Sequence, residues 1–218
     1  KNTATLLLAP FRLMIACAQA FRVMWQRKPS VVLGMGGFTA GPGGLMAWLM
    51  RRPLLIHEQN AIAGLTNRIL AHLASEVLEA FPQTFNKKTT TVGNPVRKEI
   101  QQLSDPQLRL GGHTNALRIL VIGGSLGAVK LNEVVPEAVS RIAADARPEI
   151  LHQTGAANLE MTRDAYRQHG VEARIEAFID DMAAAYGWAD LVICRAGAMT
   201  VFELAVAGVG SILVPYPH

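Results

Sequence analysis

The chain has 218 residues, a formal net charge of +4, and a composition that is 50% hydrophobic but only 17% charged. A soluble domain averages about 25% charged residues, so this composition predicts either an unusually apolar surface or an unusually large buried fraction. It excludes a disordered chain, and the length allows one large or two small domains. Two cysteines are too few for a disulfide scaffold. Uncharged, mainly apolar runs such as Leu13–Phe21 fall short of the roughly 18 residues of a transmembrane helix, and no secretory signal is evident.

The basic residues are concentrated at the start of the chain. Residues 1–57 contain no Asp or Glu and seven basic residues, which are Lys1, Arg12, Arg22, Arg27, Lys28, Arg51 and Arg52. No nucleic-acid-reading motif accompanies them, and their neighbours are Leu, Met, Phe, Ile and Trp. The pattern favours either a surface that docks on anionic lipid without spanning the bilayer, or an ordinary amphipathic helix packed on a sheet.

Helices and short apolar strands alternate along the first half of the chain. The spacing predicts a helix over Phe11–Arg27, a strand over Val31–Leu33 with a glycine loop at Gly34–Gly37, a glycine cluster at Gly41–Gly44 before a helix over Leu45–Met50, a strand over Leu54–Ile56, a helix over Ala61–Ala74, and short strands at Val77–Leu78 and Thr90–Val92. Residues 102–116 are expected to form a loop.

The same alternation restarts in the second half. It predicts a strand over Arg118–Ile122, a glycine loop at Gly123–Gly127, a helix over Leu131–Ala144, a strand over Glu149–Gln153, a helix over Leu159–His169, a strand over Arg174–Phe178, a helix over Asp181–Tyr186, a strand over Leu191–Cys194, a helix over Thr200–Ala207 and a strand over Ile212–Val214. Helices between continuous apolar strands predict an α/β fold with parallel sheets covered on both faces. Two such runs predict two Rossmann-like domains, divided near residues 94–116.

A glycine loop between a strand and a helix occurs once in each half, at Val31–Met46 and at Ile119–Asn132. Such loops let backbone amides approach an anion, so the pair suggests a cleft with two phosphorylated ligands; the alternative is that the glycines only make tight turns. A dinucleotide-binding fingerprint is disfavoured, because Gly34–Thr39 lacks the third glycine and Gly123–Gly127 has the wrong spacing, although Glu58 lies where a ribose-binding acid is expected.

Metal and nucleophile motifs are also weak. His57–Ala61 lacks the second histidine of a zinc-binding helix, and the adjacent pair Asp180–Asp181 is better explained as the N-cap of a helix than as a metal site. No serine elbow or Cys-His pair is evident, so no metal site is predicted.

Several motifs in fixed order resemble the MurG family, the bacterial N-acetylglucosaminyltransferases of peptidoglycan synthesis. The motifs are Gly34–Gly44, His57–Asn60, Ala63–Asn67, Gly93–Arg97, Gly123–Ser125, Phe178–Ala183 and Cys194–Glu203, and together they cover almost the whole chain. The resemblance implies a GT-B fold, with two Rossmann-like domains that face a cleft. It divides the chain into part of an N-terminal acceptor and membrane-side domain (1–94), an interdomain connection (95–116) and part of a C-terminal UDP-GlcNAc-binding domain (117–218).

The resemblance also implies an activity and its partners. GlcNAc would pass from UDP-GlcNAc to undecaprenyl-pyrophosphoryl-MurNAc-pentapeptide, lipid I, to give lipid II. The enzyme would be a peripheral protein on the cytoplasmic face of the inner membrane. It would contact an anionic lipid surface but no nucleic acid, and would need no cofactor and no catalytic metal. The alternatives are another UDP-sugar-dependent glycolipid synthase of the same fold, or a non-catalytic module that binds a nucleotide-sugar or a membrane.

The site residues that the resemblance implies fall into two groups. The donor-binding group is Asn60, Arg97, Ser125, Ile179, Ala198, Met199, Thr200, Val201, Phe202 and Glu203, and the acceptor-diphosphate loop is Gly34, Gly36 and Gly37. Ser125 would hold the diphosphate. Ile179 would meet uracil through its backbone amide, its carbonyl and its side chain, and Glu203 would accept hydrogen bonds from the ribose hydroxyls. Thr200 and Glu203 also fit a capping box, which is the alternative reading of that pair.

The chain departs from the family pattern at Leu126, Ala196 and Phe202, and at Phe38, where the family commonly has tyrosine. Because the chain begins at Lys1 without a methionine and ends at His218 after a strand-like run, we expect it to be part of a larger protein. The family's first glycine loop, with the base, would precede Lys1, so the piece alone is expected to be inactive. His57 and Glu58 are the acid–base candidates within the chain. A membrane-facing patch is expected to comprise Leu6, Leu7, Met14 and Trp48.

Overall fold

The computed structural model describes residues 8–110, 116–124 and 127–215. Leu6, Leu7, Ser125 and Leu126, which the sequence analysis singles out, lie outside these ranges. The chain divides into two compact units, Lys1–Asn94 and Pro95–His218. Each unit is built on a parallel sheet.

The first unit contains a four-stranded sheet in the order β1-β2-β3-β4. Its strands are β1 (Val32–Gly34), β2 (Leu54–Glu58), β3 (Glu76–Glu79) and β4 (Thr90–Thr91), and its helices are α1 (Ala9–Arg27), α2 (Ala40–Leu49) and α3 (Leu65–Leu70). The core of this unit is small: Leu54 and Ile56 of β2 pack with Ala47, Leu70 and Val77. Strand β2 extends two residues beyond the predicted strand, so His57 and Glu58 are strand residues and are buried.

Helix α1 begins with Pro10 in its first turn, where proline removes no intrahelical hydrogen bond, and ends at Lys28, whose φ of 45° is left-handed. Met24 is its one buried residue. The other large apolar side chains of α1 are exposed, and two of them, Phe21 and Trp25, stack with ring centroids 5.9 Å apart. Within the described residues, no helix is long and apolar enough to cross a bilayer.

Two helix predictions in the first unit are wrong. The cluster Gly41–Gly44 does not precede α2 but lies inside it, because Pro42 fits the first turn and glycine permits close packing. A Cβ atom on Gly44 would lie 2.6 Å from a methyl group of Leu70. The predicted helix over Ala61–Ala74 shrinks to Leu65–Leu70, preceded by an extended Gly64.

The second unit contains a five-stranded sheet in the order β7-β6-β5-β8-β9. The strands are β5 (Arg118–Ile122), β6 (Glu149–Gln153), β7 (Arg174–Glu176), β8 (Leu191–Arg195) and β9 (Gly210–Val214). The helices are α4 (Lys98–Gln101), α5 (Pro106–Leu110), α6 (Val129–Ser140), α7 (Leu159–Gln168), α8 (Met182–Trp188) and α9 (Ala198–Ala207), with short 3-10 turns at Ala144–Ala146 and Ala156–Asn158.

Strand β5 shows why successive residues of a strand in this sheet can all be apolar. Leu120 and Ile122 belong to a core cluster that includes residues of α8 and α9, whereas Ile119 and Val121 belong to a cluster on α6 and α7. Alternate side chains of a strand point to opposite faces, so a strand covered on both sides is apolar at every position. The predicted bounds of β5 and β6 are confirmed.

Residues 95–110, treated in the sequence analysis as a connection, pack as part of the second unit. Ile100 of α4 is 1% exposed within the core cluster of α8 and α9. Part of the predicted loop is helix α5, whose Arg109 donates hydrogen bonds to the carbonyl oxygens of Tyr186 (3.1 Å) and Ala207. This guanidinium therefore ties α5 to the ends of two later helices.

Gly127, after β5, lies against the end of β6. Its φ is +76°, and a Cβ atom there would lie 1.9 Å from the carbonyl oxygen of Thr154. Gly170, at the end of α7, has a similar φ of +60° but open space around the Cβ position. Substitution of Gly170 therefore tests the left-handed backbone alone, whereas substitution of Gly127 tests the left-handed backbone together with a steric clash.

We predict that Gly170→Ala lowers the free energy of unfolding by about 1–2 kcal/mol, the cost of the left-handed conformation alone. Gly127→Ala should cost more than about 3 kcal/mol, because the loop must also move away from Thr154. Urea-induced unfolding of the two variants beside the wild type measures the difference. Equal losses would show that the glycine loop can move off β6 without strain.

Candidate functional site

Several loops of the second unit open at one edge of its sheet, because the carboxyl ends of parallel strands lie together. The glycine loop at 123–127 follows β5, Ile179 follows β7, and α9 begins three residues after β8. Most of the predicted donor-binding residues of this unit are on α9, and Ile179 is on the segment that follows β7. Ser125, in the glycine loop, lies outside the described residues.

Glu203, on α9, accepts hydrogen bonds from two side chains. The guanidinium of Arg97 donates to its Oε1 atom at 3.0 Å, and the hydroxyl of Tyr186 donates to its Oε2 atom at 3.0 Å. The Glu203 side chain is 14% exposed, so the carboxylate is oriented from within and still reaches the surface. Each carboxylate oxygen has a further lone pair, so Glu203 can also accept two hydroxyl groups of a ligand.

Helix α9 begins at Ala198 with Gly197 as its N-cap. Thr200 is therefore inside the first turn and not an N-cap, so the capping-box alternative for Thr200 and Glu203 is wrong. The first amides of a helix have no intrahelical acceptor and can bind an anion or a hydroxyl oxygen. Met199 is exposed, whereas Thr200 and Phe202 are half-buried.

Ile179 differs in detail from its expected use. Its backbone amide donates to Oε1 of Gln153 at 3.0 Å, and its side chain is 6% exposed in the core cluster. The amide and the side chain are thus engaged within the protein. The carbonyl is the remaining polar group of Ile179 for a ligand. Two residues further on, Asp181 accepts a hydrogen bond from the amide of Ala184 at 2.8 Å, which confirms the predicted N-cap of α8.

In the first unit, Glu58 is the centre of a compact hydrogen-bond network. The carboxylate is 2% exposed, and its two oxygens accept from the backbone amides of Asn60 (3.0 Å) and Gly64 (3.1 Å) and the side-chain amides of Asn60 (3.0 Å) and Asn67 (2.9 Å). Burial alone would raise the pKa of Glu58, but these hydrogen bonds outweigh it and lower the pKa below its ordinary value. Glu58 is therefore a stable anion that shapes the loop at 59–64.

A small pocket of about 160 Å³ lies beside this network. Gly36 and Gly37, both at positive φ, and the exposed Phe38 line it opposite Asn60 and Asn67. A Cβ atom on Gly36 would lie 3.1 Å from the Asn67 amide nitrogen, so this glycine allows the loop to approach. Gly36 and Gly37 of the predicted acceptor loop thus share one pocket with Asn60, whereas Gly34 is the last residue of β1 and does not line it.

The side chain of His57 makes a hydrogen bond to the protein backbone. Its Nε2 atom lies 2.9 Å from the carbonyl oxygen of Gly93, so Nε2 carries the proton and Nδ1 is buried without a partner among the described residues. Nearby, the side chain of Asn94 donates to the carbonyl of Gln59 at 3.0 Å. His57 is 5% exposed and Glu58 is 2% exposed, whereas a general base needs access to the acceptor hydroxyl.

Two segments of the chain match the domains of a known protein family. Residues 1–79 match the glycosyltransferase family 28 N-terminal domain, and residues 118–218 match its C-terminal domain. The chain belongs to glycosyltransferase family 28. Its two Rossmann-like parallel α/β units are those of the GT-B fold.

Relatives named UDP-N-acetylglucosamine--N-acetylmuramyl-(pentapeptide) pyrophosphoryl-undecaprenol N-acetylglucosamine transferase are similar over the whole chain. The protein from Marinobacter nauticus is 55% identical over 100% of this chain and 61% of its own length, and that from Nitrosococcus oceani is 56% identical over 96% and 59%. The chain therefore spans about three-fifths of the length of the curated relatives it matches. The crystal structure of MurG from Acinetobacter baumannii is 43% identical, with a TM-score of 0.80, over 96% of this chain and 59% of that chain.

Among the described residues of this family 28 chain, no group of three or more His, Cys, Asp or Glu side chains could hold a metal ion. The structure brings Arg97 to Glu203 and places the start of α9 and Ile179 at the same sheet edge; Asn60 lies in the other unit. Two residues that the sequence analysis did not single out also contact the site: Tyr186, through Glu203, and Gln153, through Ile179. The sequence carries no signal for either, because each acts through a tertiary contact.

Tyr186 offers a test of how Glu203 is oriented. Burial and the Glu203 charge raise the pKa of Tyr186 far above its ordinary value, so the hydroxyl remains a donor at all working pH values. Tyr166 is equally buried, and its hydroxyl contacts His152 Nδ1 at 2.9 Å, away from Glu203. The two tyrosines form a matched pair.

We predict that Tyr186→Phe and Tyr166→Phe each lower the free energy of unfolding by about 1 kcal/mol, because each loses one buried hydrogen bond. If Glu203 binds the ribose of a nucleotide, only Tyr186→Phe should weaken binding of UDP, by about threefold to tenfold, because the Glu203 carboxylate is then held by Arg97 alone. Calorimetric titration with UDP measures this. Equal affinities of the two variants would mean that Tyr186 only stabilises the fold.

The lowered pKa of Glu58 predicts how the stability of this chain depends on pH. Its pKa is lower in the folded state than the ordinary 4.5, so its contribution to stability is complete above about pH 4.5 and is lost as the pH falls through the folded value. Glu58→Gln should cost about 2–3 kcal/mol at neutral pH, because a carboxamide NH₂ then faces amide donors.

Urea unfolding at neutral pH and at about pH 3.5 checks this expectation. The stability difference between wild type and Glu58→Gln should shrink at the lower pH. The control Glu137→Gln, at an exposed ion pair with Arg141, should change stability little at either pH. A difference for Glu58→Gln that is constant across this range would contradict the proposed network.

Proposed function

We propose that this chain is the core of an enzyme that transfers GlcNAc from UDP-GlcNAc to lipid I to form lipid II in peptidoglycan synthesis. Relatives of that name that are 52–56% identical over nearly the whole chain support the proposal. In this proposal UDP-GlcNAc is a substrate and no cofactor is required.

The observation that carries the donor site is the carboxylate of Glu203. It is fixed by Arg97 and Tyr186, and it keeps free lone pairs at the edge where the glycine loop ends. A ribose has two adjacent hydroxyls, and a carboxylate can accept both. Glu203 therefore suits the ribose of UDP.

The other donor contacts follow from the same edge. The glycine loop, with Ser125, would hold the diphosphate, and the first-turn amides at Ala198 and Met199 would add donors at the positive end of the α9 dipole. The carbonyl of Ile179 would accept the N3 proton of uracil. Thr200, Val201 and Phe202 complete the first turns of α9 beside Glu203.

We propose an inverting single displacement for the reaction. The acceptor hydroxyl attacks the anomeric carbon as the bond to the UDP oxygen breaks, a base removes the hydroxyl proton, and the amide groups stabilise the charge on the departing diphosphate. In this proposal neither His57 nor Glu58 is this base, because both side chains are buried and are hydrogen-bonded to backbone groups. In the first unit, the loop with Gly34, Gly36 and Gly37 would face the diphosphate of lipid I.

Incubation of the full-length protein with UDP-GlcNAc and lipid I tests the function. We expect lipid II and UDP in equal amounts. Transfer from UDP-GlcNAc to a different lipid but not to lipid I would indicate another glycolipid synthase of this fold. UDP-GlcNAc binding with no transfer to any lipid would indicate a non-catalytic module.

We predict that Glu203→Ala weakens UDP-GlcNAc binding at least tenfold, because hydrogen bonds to a charged acceptor contribute about 1.5–3 kcal/mol each. Glu137→Ala is the control, since its carboxylate also pairs with an arginine but lies on the opposite layer, in α6. Calorimetric titration of both variants gives the comparison. Unchanged affinity in Glu203→Ala would remove Glu203 from the donor site.

We further propose that the first unit docks on the cytoplasmic face of the inner membrane. Along α1, the side chains of Phe11, Met14 and Trp25 are 61%, 59% and 64% exposed, and on α2 Trp48 is 48% exposed. Exposed basic residues accompany them, namely Arg12, Arg22, Arg27, Lys28 and Arg51. Buried apolar area and roughly 1 kcal/mol per basic residue near anionic lipid can together hold a protein at a surface.

We predict binding to vesicles that contain phosphatidylglycerol, weakened by salt, and little binding to vesicles of phosphatidylcholine alone. Met14→Ser with Trp48→Ser should reduce binding severalfold. Met161→Ser, at an exposed methionine of the second unit, is the control and should bind like the wild type. Vesicle co-sedimentation measures all three. Equal binding to both vesicle types, or no loss in the double variant, would leave the apolar residues without a membrane role.

A further inference from the structure

Gln153 is the last residue of β6, which lies between β5 and β7 in the sheet. It pairs with Ile122 on one side and with Glu176 on the other. These are the last residues of the two neighbouring strands, and the glycine loop follows one of them and the Ile179 segment the other. Gln153 is therefore placed beneath both loops, and it is 3% exposed.

The carboxamide of Gln153 contacts the backbone of both loops. Its Nε2 atom donates to the carbonyl oxygen of Gly124 at 3.1 Å, and its Oε1 atom accepts from the amide of Ile179 at 3.0 Å. The partners fix the orientation of the carboxamide, because a carbonyl needs a donor and an amide needs an acceptor. A rotated carboxamide would break both hydrogen bonds.

Both contacted segments are themselves held firmly. The Gly124 carbonyl also accepts from the amide of Gly127 at 2.9 Å, and Gly124 has a φ of +83°. The Ile179 side chain is packed in the core with Leu120 and Met182. A side chain that bridges two fixed segments sets the distance between them. Gln153 therefore determines how far apart the two loops lie, whereas each loop is held in place by its own contacts.

We propose that Gln153 is a positioning residue that sets the spacing between the loop for the donor diphosphate and the segment that reads its base. This inference rests on the proposed function, which places these two parts of UDP on these two loops. A carboxamide of this length supplies one donor and one acceptor across the gap. Asparagine is one methylene shorter, and methionine has a similar length but neither hydrogen bond.

The test compares Gln153→Met and Gln153→Asn with Tyr166→Phe. Tyr166 lies in the core of the other face of the same sheet and contacts the adjacent strand residue His152, and among the described residues its side chain makes no hydrogen bond to either loop. In the lipid II assay we expect both Gln153 variants to raise the KM for UDP-GlcNAc and the Kd for UDP about tenfold. The KM for lipid I and the kcat at saturating donor should be unchanged. Tyr166→Phe should leave all four quantities at wild-type values.

Hydrogen exchange measured by NMR reports the bridge directly. The amide of Ile179 should be protected in the wild type and in Tyr166→Phe, and should exchange at least tenfold faster in Gln153→Met. If Gln153→Met does not fold, Gln153→Asn carries the same comparison.

Three outcomes are decisive. A folded Gln153 variant with a fast-exchanging Ile179 amide and wild-type UDP affinity would overturn this inference while leaving the proposed function intact. Equal increases in the KM for donor and for lipid I would also overturn it, since they would indicate general loosening. A wild-type protein that does not bind UDP would overturn both the proposed function and this inference.

Discussion

Burial of a central strand in each parallel sheet creates one physical requirement on which the rest of this structure depends. Backbone amides and carbonyls in the loops at the carboxyl ends of the strands must find partners where water has limited access. In each unit, the last residue of a central strand supplies them. Glu58 ends β2 and binds the amides of the loop at 59–64; Gln153 ends β6 and binds Gly124 and Ile179.

The two residues differ in charge in a way that fits their surroundings. Glu58 faces only donors, two from backbone and two from asparagine side chains, so its negative charge is compensated locally. Gln153 faces one carbonyl and one amide, and a carboxylate there would oppose the carbonyl of Gly124. A neutral bridge also places no negative charge beside a loop proposed to hold a diphosphate. The same position at a strand end thus carries an acid in one unit and its amide in the other.

The sequence predicted well what depends on local pattern. The bounds of β5 and β6 match the prediction. Strand β5 is apolar from Ile119 to Ile122 because both faces of the sheet are covered, and β6 has apolar residues at Ile150 and Leu151, which pack in the two different core clusters. The N-cap at Asp181 is a local motif and was also predictable. The predicted start of helix α2 was too far along the chain. Glycines normally indicate a loop, but here they lie in the first turns of the helix, and Gly44 allows close packing against Leu70.

The candidate site was predictable in its residues but not in its contacts. Glu203 was singled out by resemblance, and its local alternative, the capping box with Thr200, fails because α9 begins at Ala198. The partners of its carboxylate are 106 and 17 residues away, at Arg97 and Tyr186. No pattern along the chain reports such contacts. The same reason hides Gln153, which reads as an ordinary polar residue at the end of a strand.

Arg109 has a consequence for how the chain folds during synthesis. Its guanidinium binds the carbonyl of Ala207, 98 residues later, and Ile100 just before it is buried against helices α8 and α9. The segment leaves the ribosome before any strand of its own sheet, yet its burial site exists only after α9 has been made. A contact of such long sequence separation forms slowly, and apolar surface stays open until it does. The second unit can therefore complete its core only after α9 has been synthesised, and Ile100 lacks its full burial site until then.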